Sequence, residues 1–102
     1  LGPEAILGFN TGVLVGSPAI TPNRWTVTGK SPLTGGWGDA NCGGYWGPML
    51  KAAGYDAVYV QGCAERPVYL WIDEGQATLL DASDLWGRDA GEAVDRLVGA
   101  AA

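Results

Sequence analysis

Apolar and polar positions alternate most cleanly over residues 24–28, RWTVT. Trp25 and Val27 fall on one side and Arg24, Thr26 and Thr28 on the other, the period of a half-buried β-strand. Earlier, the apolar run of Ala5, Ile6, Leu7 and Phe9 after Pro3 predicts a strand within residues 1–10. Val13, Leu14 and Val15, bracketed by Gly12 and Gly16-Ser17-Pro18, predict a brief extended piece and a turn, and residues 19–23 continue as loop. After the central strand, Pro32 and Gly35 turn the chain. Tyr45, Trp46, Met49, Leu50 and Ala53 then fall near helical spacing. Pro48 is tolerable only in a first turn, so this helix starts between Gly44 and Pro48, and Gly54 closes it with a left-handed cap. Beyond it, residues 57–61, 68–72 and 77–80 are β-branched or aromatic runs, the last two joined across the hairpin signal Asp73-Glu74-Gly75. A second helix, beginning at Asp84 or Arg88 and running to Val98, sets Ala90, Val94, Leu97 and Val98 against Glu92, Asp95 and Arg96. The pattern predicts an α+β fold, mostly antiparallel β-sheet with two short helices. With no internal repeat or linker, it is read as a single partial domain over residues 1–102.

Composition adds one unusual stretch. The 102 residues include 17 glycines and 5 tryptophans, and the segment 24–47 concentrates both. It is too glycine-rich to read as a regular core element, and reads as strand, loop and helix start. Gly35, Gly36, Gly38, Gly43 and Gly44 let the backbone take positive φ or let a ligand approach its N–H groups. The net charge of −5 disfavours nucleic acid. Three of the six basic residues, Arg24, Lys30 and Lys51, lie in or just after the glycine-rich stretch, which predicts a local cationic pocket for a small anion.

Histidine is absent, which excludes Ser-His-Asp and Cys-His catalysis and imidazole metal ligation. Cys42 and Cys63 are far from C-x-x-C spacing; Cys63, after an apolar strand, reads as a small buried residue. The acidic residues form no matched acid-base pair and read as turn and surface carboxylates. Trp71, on a strand, reads as core, and Trp86 as core or a contact to a missing partner. No apolar run approaches the ~20 residues of a membrane span, and no leader precedes the first strand, so the expectation is a soluble, cytoplasmic protein. The abrupt start without Met suggests a fragment of a longer chain.

Three positions carry candidate chemistry. Arg24 is either a solvated surface charge or a bidentate phosphate contact, for which the planar guanidinium is well shaped. Asn41 is either a turn residue or the source of a carbonyl oxygen for a hard cation such as Mg²⁺. The helix entrance after Asn41, Cys42, Gly43 and Gly44 offers first-turn N–H groups to a phosphate.

The segments NRWTVTGKSPLTG, DANCGGYWGPMLKAAGYDAVYVQG, PVYLWI and DASDLWG together resemble the N-terminal domain of the tungsten-containing aldehyde:ferredoxin oxidoreductases, over about residues 2–98. The resemblance implies an α+β base on which a tungstopterin lies, a bis-pterin cofactor of tungsten or molybdenum with Mg²⁺ bridging its two phosphates. It matches Arg24 to an arginine contacting the pterin and Asn41 to the residue whose backbone carbonyl meets the Mg²⁺. Cys42 and Gly43 match neighbours lying against the cofactor, with Gly44 beside them at the helix entrance. The family commonly has Gly before the arginine and Tyr or Phe after it, where this chain has Asn23 and Trp25, and Ser often stands in place of Cys42. The pterins already supply sulfur, so Cys42 is not expected to ligate the metal.

The resemblance further implies oxidation of aldehydes to carboxylic acids, with ferredoxin as electron acceptor and a 4Fe-4S cluster whose ligands lie outside this chain. No catalytic residue is assigned to the segment itself. Its implied partners are the remainder of the enzyme chain, ferredoxin and an aldehyde-type small molecule, without nucleic acid or membrane; a homo-oligomer stays open. The alternative is a non-catalytic binding or structural module of the same fold.

Overall fold

A computed structural model describes residues 2–20 and 22–101. Leu1, Thr21 and Ala102, which the sequence pattern assigns to the lead of the first strand, the 19–23 loop and the terminal alanines, lie outside the described residues. The chain forms two compact units, Leu1–Cys63 with Ile72–Ala77, and Ala64–Trp71 with Thr78–Ala102.

The first unit is built on a four-stranded antiparallel sheet. Strands β1 (Ile6–Thr11), β2 (Trp25–Lys30), β3 (Trp37–Cys42) and β4 (Ala57–Gln61) lie in the order β3-β2-β1-β4. Helix α1 (Trp46–Ala52) follows β3. The alternation of β2 is realised as predicted: Trp25 turns toward α1, its ring centroid 4.5 Å from that of Trp46 and 6.1 Å from that of Phe9. These rings, with Leu50 and Val15 at 4% and 7% exposure, are where apolar burial concentrates. Gly47 permits the close approach of α1 to the connection between β1 and β2, because a Cβ there would lie 3.1 Å from Val15 Cγ1 and 3.3 Å from the Asn23 carbonyl oxygen.

Pro48 sits in the first turn of α1, where its missing N–H leaves no bond unmade. At the other end, Gly54 (φ 100) donates its N–H to the Lys51 carbonyl and Tyr55 to the Leu50 carbonyl, the paired bonds of a Schellman cap. The Tyr55 hydroxyl donates to the Gly75 carbonyl within the same unit.

Strands β5 (Val68–Asp73) and β6 (Gln76–Asp81) form a two-stranded hairpin. Glu74 and Gly75, both at positive φ, make its two-residue turn. In the second unit the Ala82 N–H donates to the Pro67 carbonyl (2.8 Å), and helix α2 (Ala90–Ala101) follows. Asp89 caps α2 by accepting the Glu92 N–H at 2.8 Å. Asp81 accepts from both the N–H and the hydroxyl of Ser83, and these bonds hold its carboxyl below the ordinary value of 3.8.

The structure corrects several expectations. Trp37–Cys42 is a strand rather than loop, because pairing with β2 along its whole length outweighs the poor strand propensity of its Gly, Asp and Asn. Residues 13–15 are a turn rather than extended, with Val15 donating to Gly12 and Ser17 to Leu14. Cys63 is exposed rather than buried. Trp71 is 39% exposed and Trp86 79% exposed, so neither is core. Among the described residues, no helix is long and apolar enough to cross a membrane.

Candidate functional site

Strand alternation decides what the sheet shows on the side away from α1. With Trp25 and Val27 directed at the helix, Thr26 and Thr28 point the other way. Register then sets Asn41 and Asn10 on either side of Thr26, Asp39 and Gly8 on either side of Thr28, and Tyr59 beyond Gly8. Arg24, immediately before β2, belongs to this face, and its Nη1 donates to the side-chain oxygen of Asn41 at 3.3 Å. The face is open: Tyr59 is 67% and Trp37 73% exposed.

The open face carries further hydrogen bonds. Asn10 Nδ2 donates to Thr28 Oγ1 (3.2 Å), the Tyr59 hydroxyl donates to Asn10 Oδ1 (2.7 Å), and the Trp37 indole donates to Asp39 (3.1 Å). Gly8, Asn10, Thr26, Thr28, Trp37 and Tyr59 are among the residues lining a concavity of ≈ 540 Å³. Arg24 also borders an apolar hollow of ≈ 400 Å³ with residues 12–15, Ile20 and Pro22.

Of the residues singled out in the sequence, Arg24 and Asn41 are joined by a hydrogen bond, and the others are placed as follows. Cys42 follows Asn41 on the same strand and so turns to the opposite face, where it is exposed. The Gly43 carbonyl accepts the Trp25 indole N–H at 3.2 Å, which fixes the backbone beside Asn41. Gly44 (φ 84) supplies the bend into α1 and has open space around it. That helix has 7 residues and its Tyr45 cap makes no side-chain bond, so the helix dipole adds little and the weight falls on Arg24 and Asn41.

The expected three-cation pocket is not formed. Lys51 is bound to Asp56 at 2.6 Å, and Lys30 lies six positions along an extended strand from Arg24, ~20 Å away. Among the described residues the ion pairs are Lys51–Asp56, Arg88–Glu92 and Arg96–Glu92, so no carboxylate neutralises Arg24.

This arrangement fits a phosphate and a hard cation. The guanidinium retains donors beyond the one spent on Asn41. Strand β3 is outermost in the sheet, so alternate backbone carbonyls along it lack a ladder partner and remain available as oxygen ligands. Among the described residues, no group of three or more His, Cys, Asp or Glu is placed to hold a metal ion. Apart from the single carboxylate of Asp39, oxygen for a cation at this face would therefore come from amide and backbone carbonyls.

The family described as "Aldehyde ferredoxin oxidoreductase, N-terminal domain" matches residues 1–101. The chain belongs to this family. It is 48% identical over 92 residues to the tungsten-containing aldehyde ferredoxin oxidoreductase of Pyrococcus furiosus, which covers 90% of this chain and 15% of that protein. It is 36% identical over 88 residues to the aliphatic sulfonate oxidoreductase WOR-like subunit of the same organism, covering 85% of this chain and 14% of the relative. Among solved structures, the active-site complex BamBC of benzoyl coenzyme A reductase with 1,5-dienoyl-CoA superposes with a TM-score of 0.89 at 39% identity, over 93% of this chain and 14% of that one. The α+β architecture is thus shared with a solved member of this group of folds. The chain spans about 15% of the length of the curated relatives it matches.

Asn10, Thr28 and Tyr59 were not singled out in the sequence. The signal that marks them is the complement of the apolar alternation: most positions facing away from the aromatic cluster carry hydrogen-bonding side chains or glycine, with Ile6 and Ala57 as exceptions. Reading it requires the register between strands, which the sequence pattern does not fix.

Proposed function

We propose that this chain is part of the N-terminal, cofactor-bearing domain of a bis-pterin tungsten or molybdenum oxidoreductase. The intact enzyme, in the cytoplasm, would oxidise aldehydes to carboxylic acids and pass the electrons to ferredoxin through a 4Fe-4S cluster ligated outside this segment. The observation that carries the reading is the Arg24–Asn41 pair, 3.3 Å apart on an open sheet face, with no carboxylate among the described residues paired to the arginine.

In this reading the tungstopterin supplies the two-electron oxidation, and the segment's residues hold and orient it. Arg24 grips a pterin phosphate through a charge-assisted, bidentate contact. The Asn41 backbone carbonyl offers an oxygen to the bridging Mg²⁺. Gly43 and Gly44 keep side chains out of the path of the cofactor, and Cys42 is its neighbour in sequence without being a metal ligand.

The relatives' names concern an aldehyde, an aliphatic sulfonate and a coenzyme A thioester. A segment common to such different chemistries is suited to carrying what they share rather than to choosing the substrate. Metal and pterin analysis of the properly matured full-length protein tests the proposal. Tungsten or molybdenum with two pterins per metal is the expected result. Absence of both metals and of pterin would overturn it in favour of a non-catalytic module of the same fold.

A further inference from the structure

The open sheet face continues past the Arg24–Asn41 pair into the ≈ 540 Å³ concavity, and nothing in the phosphate and Mg²⁺ contacts accounts for how that concavity is built. Its volume lies within the range of small-molecule sites, roughly 300–1,000 Å³. Arg24 and Thr28 are four positions apart along extended chain, ~13 Å, so one elongated ligand can reach both.

The floor is constructed around Gly8. A Cβ at Gly8 would fall 2.8 Å from Thr28 Oγ1 and 2.9 Å from Tyr59 Cε1, so the hydroxyl and the phenol ring close over this position only because it has no side chain. The ring of Tyr59 is tethered by its own hydroxyl to Asn10 (2.7 Å) while remaining 67% exposed. It therefore offers a fixed aromatic surface to solvent, the kind on which flat heteroaromatic rings stack. Asn10 spends one N–H on Thr28 and its oxygen on Tyr59. What remains is the second Asn10 N–H and the hydroxyl hydrogen of Thr28, two donors facing the concavity beside an aromatic plane. Ile6 and Trp37, 53% and 73% exposed, add apolar rim.

We infer that Asn10, Thr28 and Tyr59 position a flat heteroaromatic ring in this concavity. The occupant is the pterin ring of the cofactor whose phosphate Arg24 grips. The inference rests on the cofactor reading above and adds to it the residues that would orient the ring.

The test uses the matured full-length enzyme. Thr28→Val keeps the shape and removes the donor, Tyr59→Phe keeps the ring and removes its tether, and Arg24→Ala serves as the phosphate-end comparison. The measurement is pterin retained per polypeptide after a fixed challenge in sub-denaturing guanidinium, read by fluorescence of the oxidised pterin. The thermal midpoint of the cofactor-free chain is measured alongside. Thr28→Val and Tyr59→Phe are each expected to retain the pterin about three- to tenfold less tightly, the worth of one hydrogen bond, with the midpoint unchanged. Wild-type retention in both, with retention lowered in Arg24→Ala, would overturn the ring-positioning inference and leave the cofactor reading standing. Pterin loss only in step with a lowered midpoint would also overturn it, because the three residues would then be structural. A wild-type enzyme without pterin would overturn both readings.

Discussion

The two faces of the four-stranded sheet share one backbone and carry nearly opposite chemistry. Toward α1 the side chains are Phe9, Trp25 and Val27, closed over by Trp46 and Leu50. Away from it stand Asn10, Thr26 and Thr28, with Arg24 and Asn41 at one end. The closed face stabilises by removing apolar area from water, a non-directional effect that tolerates rearrangement. The open face gains little from burial, and its hydrogen bonds are individually small while water can compete for them. What it supplies is placement: a guanidinium, two amides and two hydroxyls on one surface. In the proposed reading one face answers for folding and the other for recognition, and the alternation of a single strand, β2, divides the two tasks.

Substitutions on each face should therefore fail differently. The largest effect is expected from Leu50→Ala, which empties a site 4% exposed and should lower the unfolding free energy by about 2–5 kcal/mol in chemical denaturation of the chain. Next, Arg24→Ala should weaken cofactor retention by about 1.5–3 kcal/mol, measured as pterin content of the full-length enzyme, without unfolding it. A large stability loss in Arg24→Ala, or none in Leu50→Ala, would break the division between the faces. Gly54→Ala sharpens it. The substitution places a Cβ at φ 100 in the cap of α1, and should cost about 1 kcal/mol of stability while leaving pterin affinity unchanged.

The smallest effect lies away from both faces, at the Asp81–Ser83 turn. The folded carboxyl titrates below its ordinary value because ionised Asp81 accepts two bonds from Ser83. Its contribution is therefore present above the unfolded value of 3.8 and is lost as pH falls through the lower folded value. Ser83→Ala should raise the Asp81 pKa toward 3.8 in an NMR titration, and an unmoved value would remove the hydroxyl as a cause.

Much of this organisation was legible in the residues. The 24–28 alternation, Pro48 and Gly54 bounding α1, and the Asp73-Glu74-Gly75 turn each rest on local physics, a period or a backbone restriction, and the structure shows all three. Strand β3 was not legible, since its glycines and polar residues argue against a strand until β2 is there to pair with. The burial expected of Cys63 and Trp71 failed for a related reason: apolar sequence context indicates where a side chain would be buried, while burial needs a covering layer. Among the described residues the buried apolar side chains are Val15, Leu50 and Ala82. The meeting of Arg24 with Asn41 could be read as chemistry but not as geometry, because a hairpin register across 17 positions creates it.

That register has a consequence for how the protein is made. Both halves of the proposed anion grip belong to one hairpin, Asn41 on β3 and Arg24 immediately before β2, joined without any distant segment between them. Closing so short a loop costs little chain entropy compared with joining remote strands. During synthesis the hairpin can therefore take shape before β4 and the elements after it emerge, leaving them to be fitted around an arrangement that already exists.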